Sequence, residues 1–136
     1  MTPTAVALLG FAAWTILLVM TLGVLRTGLV FAGQKKANEF KASGDDLAGF
    51  GARLTRAHAN CYENLPVAGA ILLYAIATSQ TAITDELAFA FLGARLLQSL
   101  THLLSTSRPA VLARFAFFLV QLVIIIIWLL KLTHLL

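Results

Sequence analysis

Arg53, Arg56, Asn60 and Glu63 follow one another at intervals of 3, 4 and 3 residues, the spacing that stacks side chains along one face of a helix. Guanidinium groups offer paired N–H donors that match planar carboxylates, an amide donates and accepts, and a carboxylate accepts from an ammonium group. Such a stripe suits an anionic ligand that carries acidic groups and an amine. A second polar face lies further along the chain, where Arg95, Gln98 and His102 again fall at helical intervals. Arg108 and Arg114 follow it and Arg26 precedes both, so Glu63 is a lone deep acid among arginines. An ionised group in hydrocarbon must be paired, protonated or wet. Arg95, at a similar depth, is therefore expected to pair with Glu63. His58 is expected to orient or hydrogen bond, since no second His or Cys stands at a metal-ligating interval, and the single cysteine, Cys61, reads as a small buried hydrophobe. No Ser–His–acid arrangement stands out.

The elements that must carry these residues are membrane helices. Of the 136 residues, 60% are hydrophobic and 12% charged, whereas charged residues make up about a quarter of a soluble domain. Four apolar runs approach or exceed the roughly 18–20 residues that cross a bilayer as helix. The expected spans are about 4–28, 50–78, 85–104 and 110–131, with a polar loop at about 29–49, in a single domain. The β-branched run Val123 to Ile127 would favour a strand in water, but hydrocarbon demands that every backbone group be paired within the segment. The fold class is thus an all-α integral membrane protein, a four-transmembrane-helix bundle. Asp85 and Glu86 are expected at the start of the third helix, where acids complement its dipole, and Ser105 to Pro109 reads as a turn. Pro66 is expected to bend the second helix beside the polar stripe.

The net charge of +4 is not gathered into the stripe that a nucleic-acid groove requires, so nucleic acid is not an expected partner. The basic residues instead report topology. Arg26, Lys35, Lys36, Lys41, Arg53 and Arg56 flank the first loop, Arg108 and Arg114 follow the third span, and the connection between the second and third spans has none. Basic loops face the cytoplasm, which puts both termini on the other side, although Lys131 weighs weakly the other way. A bacterial inner membrane is the expected location. The first apolar run is longer than the core of a cleaved signal peptide.

The segment from Arg53 to Pro66, Arg53-Leu-Thr-Arg56-Ala-His58-Ala-Asn60-Cys-Tyr-Glu63-Asn-Leu-Pro66, resembles the second-helix signature of the MAPEG family, the membrane-associated proteins of eicosanoid and glutathione metabolism. The four-span layout extends the resemblance over essentially the whole chain, and Ala-Arg95 in the third span agrees with it. The resemblance implies a homotrimer with sites between neighbouring subunits that open toward the cytoplasm, and glutathione as co-substrate. Residues like Arg53, Asn60 and Glu63 bind the tripeptide in such proteins, Arg56 and His58 match supporting positions, and Arg95 resembles a buried arginine that also reaches it. An arginine near the start of the fourth helix holds the thiolate. Arg114 and Arg108 both answer to that description, Arg114 the better by its place inside the helix. His102 stands where the family usually has a tyrosine, and Ala59 where some relatives have a further arginine.

The implied function is a glutathione-dependent membrane transferase or peroxidase acting on lipophilic electrophiles or lipid hydroperoxides. Its partners are then membrane lipid and a lipophilic small molecule. A non-catalytic lipid-binding or scaffold protein of the same fold is the alternative. A proton-coupled transporter built on Glu63 is disfavoured by the excess of arginine around it.

Overall fold

The computed structural model describes all residues from Met1 to Leu136. It contains four α-helices: α1 (Pro3–Phe31), α2 (Phe50–Ala77), α3 (Thr81–Leu104) and α4 (Arg108–Leu132). Helices α1, α3 and α4 are each long and apolar enough to cross a membrane. Helix α2 has 28 residues and, at about 1.5 Å per residue, also exceeds a hydrocarbon core of about 30 Å. Its polar first half is what lowers its hydropathy.

Side-chain contacts between helix ends set the topology. Thr4 near the start of α1 meets Thr84 and Asp85 near the start of α3, so these two helices run the same way. Arg53 at the start of α2 reaches Leu103 at the end of α3, and His102 near that same end meets Arg114 early in α4. Helices α2 and α4 are therefore antiparallel to α1 and α3, in up-down-up-down order.

The core is built from small and aromatic residues. Ala7, Ala57, Cys61, Ala68 and Ala88 let backbones approach closely, the usual device where lipid supplies no hydrophobic drive between helices. Around them Phe11, Phe91 and Trp128 form a chain of rings across α1, α3 and α4, with centroids 6.0 and 5.4 Å apart. Helices α2 and α4 touch least of the packed pairs. A seam consequently runs between them, floored by α3.

Capping explains where helices begin. Thr2 and Ser107 accept from the backbone N–H of Ala5 and Ala110, each just before a proline in the first turn. Helix α4 accordingly starts at Arg108. Helix α3 begins at Thr81 and has no acid in its first turn, which corrects the placing of Asp85 and Glu86 at its start. Asp85 instead accepts 2.9 and 2.6 Å hydrogen bonds from the N–H and hydroxyl of Thr4. It caps α1 from a neighbouring helix. Helix α2 continues through Pro66 without interruption.

The 32–49 loop folds back over α2. Lys35 Nζ lies 2.7 Å from Asp46 Oδ2, the only ion pair in the structure, and the Lys41 N–H donates to Asp46 Oδ1. The Phe40 ring takes the cations of Arg26 and Lys35, each 5.4 Å from its centroid. Gly44, at φ +76°, brings the loop so close to α2 that a Cβ there would meet the Thr55 side chain at 2.7 Å. Only glycine fits both demands.

Candidate functional site

The seam between α2 and α4 opens with a basic mouth. Arg53, Arg56, His102 and Arg114, with Ala52 and Thr106, line a crevice of about 110 Å³ that no acidic side chain enters. Three helices contribute: α2 presents its arginines one turn apart, α3 supplies His102 from its last turn, and α4 supplies Arg114 from its second turn.

Arg53, His102 and Arg114 are each held by a specific contact. The Arg53 Nε–H donates at 2.7 Å to the carbonyl of Leu103, which lies in the last turn of α3 and has no helical donor of its own. Arg114 Nη1 stands 2.9 Å from His102 Nδ1. A guanidinium can only donate, so Nδ1 accepts and the proton of the neutral ring sits on Nε2. His102 is thereby fixed as a donor at its far nitrogen. Arg56 is exposed and His58 stacks on Tyr62, with ring centroids 5.2 Å apart.

Deeper along the stripe, Arg95 is 1% exposed and its guanidinium carbon lies 4.9 Å above the Phe11 ring. Its Nη1 donates to the side-chain Oδ1 and the backbone carbonyl of Asn60. Asn64 Nδ2 donates to that carbonyl as well, at 2.7 Å.

The expected Arg95–Glu63 pair does not form. Glu63 is exposed, and Arg95 spends its contacts on Asn60 and Phe11. Three residues along a helix fall about 60° short of a full turn, enough to aim Asn60 at α3 while Glu63 faces outward. Arg108 is also apart from the group, exposed beside Val111 and Leu112. The structure thus gathers Arg53, Arg56, His102 and Arg114 around one crevice, sets Asn60 and Arg95 below it, and leaves Glu63 and Arg108 outside.

Gln121 was not singled out from the sequence. Its Nε2 donates to Gln98 Oε1 at 2.9 Å and to the carbonyl of Phe117 at 2.8 Å. The available signal was a lone amide in the otherwise apolar stretch of α4 between Arg114 and Lys131, which hydrocarbon obliges to find partners. No group of three or more His, Cys, Asp or Glu side chains comes together as a metal site.

Comparison with known proteins agrees with this layout. The family model described as MAPEG family matches residues 4–133. No curated protein and no solved structure matches the chain.

Proposed function

The chain belongs to the MAPEG family, and from that premise we propose that it is a glutathione-dependent membrane transferase or peroxidase acting on lipophilic electrophiles or lipid hydroperoxides. Family membership supports a membrane protein of glutathione or eicosanoid metabolism in general. The observation that carries the narrower reading is the convergence of Arg53, Arg56 and Arg114 with a donor-oriented His102 on a crevice without acids.

Reduced glutathione has two carboxylates, one amine and one thiol. Guanidiniums at the mouth suit its carboxylates, and Glu63, exposed on the outer face of α2, is free to accept from its ammonium group. Arg114, already oriented by His102, is the candidate for the thiolate, because a fixed cation beside sulfur favours the ionised form. Arg108, on another surface, is the weaker candidate. The thiolate then adds to an electrophilic carbon. With a hydroperoxide it attacks the outer oxygen: an S–O bond forms as the O–O bond breaks, the lipid alkoxide leaves and takes a proton to become an alcohol, and the glutathione sulfenic acid condenses with a second glutathione to give the disulfide and water.

Arg56 and Glu63 lie exposed on α2, which fits a site completed by a neighbouring copy in a homotrimer. The basic loop supports a cytoplasmic opening, and a bacterial inner membrane with both termini on the far side remains the proposed placement. The test is ultraviolet absorbance of purified protein titrated with reduced glutathione. A thiolate band is expected, and Arg114→Ala should remove it and lower turnover about a hundredfold or more. Glutathione binding without a thiolate band would select the lipid-binding alternative.

A further inference from the structure

Arg108 stands outside the basic mouth and has a cavity of its own. Helix α4 is long and apolar enough to cross a membrane and Arg108 is its first residue, so the guanidinium sits where hydrocarbon gives way to headgroups. With Thr106, Val111 and Leu112 it lines a cavity of about 320 Å³. No acidic side chain enters that cavity, and the one ion pair in the structure joins Lys35 to Asp46. The positive charge of Arg108 is therefore uncompensated within the chain. No residue of α2 contributes a wall, so the cavity is no part of the α2 face on which a neighbouring copy would seat.

Beyond the arginine the helix surface is apolar. Val111, Leu112 and Phe115 follow Arg108 at 3, 4 and 7 residues, the spacing of one helical face, and they are 46%, 69% and 58% exposed. A cation at the head of an exposed apolar stripe matches an amphiphile with an anionic head and a hydrocarbon tail. The head has room, since a cavity of about 150 Å³ already holds a benzene ring. Thr106, exposed in the turn before α4, adds a hydroxyl that can donate to a phosphate oxygen or accept from a headgroup hydroxyl.

We infer that this cavity is a binding site for an anionic phospholipid, with its phosphate on the Arg108 guanidinium and one acyl chain along Val111, Leu112 and Phe115. A guanidinium donates two parallel N–H bonds to a phosphate. Selectivity follows from the lack of acids: the ammonium of a zwitterionic headgroup finds no carboxylate in the cavity and is repelled by Arg108. A glycerol headgroup carries no such charge. An arginine that merely snorkels would touch any phosphate in its leaflet and show no preference among lipids. Neither Arg114 nor glutathione has a part in this site.

The test is native mass spectrometry of the full-length protein in micelles supplied with equal amounts of phosphatidylglycerol and phosphatidylcholine of identical acyl chains. Retention of phosphatidylglycerol about fivefold greater is expected, the effect of one basic side chain at a membrane surface, saturating at a single lipid per protomer. Arg108→Gln should bring the two lipids level, while Lys36→Gln, at an exposed loop lysine, should leave the preference intact. Val111→Trp keeps the charge but fills the cavity, and should also remove the preference. All three positions are exposed, so the fold is retained. Equal retention of the two lipids by the unaltered protein would overturn the inference. So would a preference that survives Arg108→Gln, which would trace it to basic residues elsewhere, or one that survives Val111→Trp, which would trace it to charge without a cavity. Displacement of phosphatidylglycerol by equimolar oleate would mark a fatty-acid site and overturn it as well.

Discussion

At the scale of single residues, His102 and Arg114 orient each other. Arg114 donates to Nδ1 at 2.9 Å, so the ring is a neutral donor at Nε2 and the guanidinium has lost one degree of freedom. His102→Gln keeps an acceptor within reach of Arg114 and should largely preserve a glutathione thiolate band. His102→Phe removes the acceptor and should reduce the band about tenfold, in line with a hydrogen bond to a charged group. The two variants titrated side by side separate orientation from mere bulk. The residue scale is also where the sequence was only partly legible. The stripe Arg53–Arg56–Asn60 was readable because helical spacing is regular, and Arg114 because it lies inside the fourth helix. The partner of Arg95 was not, since a choice between Asn60 and Glu63 turns on about 60° of rotation that spacing alone does not orient toward a particular neighbour.

At the scale of elements, each end of the bundle is secured by a polar contact made across the sequence. Asp85 takes both donors of Thr4, and Thr84 Oγ1 lies 2.6 Å from the same hydroxyl. Asp85→Ala should lower stability by about 1–2 kcal/mol, as loss of a helix cap does, read as a lower thermal unfolding midpoint in detergent. At the other end Asp46 holds the loop. Its carboxyl is kept below its ordinary pKa of 3.8 chiefly by the hydrogen bond from Lys35, helped by the backbone of Lys41. A depressed carboxyl contributes above its unfolded pKa, and that contribution disappears as pH falls through the folded value. Protection of the Lys41 amide from hydrogen exchange should thus hold at neutral pH and fall away below pH 3.8, with Asp46→Asn showing no such step. The extent of α2 was legible because polar residues flank its apolar half, whereas the start of α3 was not. An Asp-Glu pair looks like the opening of a helix, and only the arrival of Thr4 from α1 reveals that Asp85 serves another one.

At the scale of the whole molecule, the isolated chain leaves an account open. Arg56 and Glu63 are exposed on α2, and Glu63 sits 13 positions after Phe50, the first residue of that helix, about 20 Å along it. A charged side chain facing lipid at depth costs about 2.5–3.5 kcal/mol even by the most lenient insertion scales. A neighbouring copy removes that cost if its arginines meet the carboxylate, and three copies around the α2 faces would close the basic mouths into shared crevices. Light scattering in detergent should therefore give three times the protomer mass of 14.6 kDa. Glu63→Leu removes the lone acid but leaves the arginines of the neighbours unpaired, so it should weaken the assembly, whereas Glu63→Asp should retain it with looser packing. Arg108→Ala serves as the control, because Arg108 lies beside Val111 and Leu112, away from the stripe. A monomeric mass for the unaltered protein, or a trimer indifferent to Glu63→Leu, would mean that the exposed carboxylate is kept in water by some other route and that the crevice is complete within one chain.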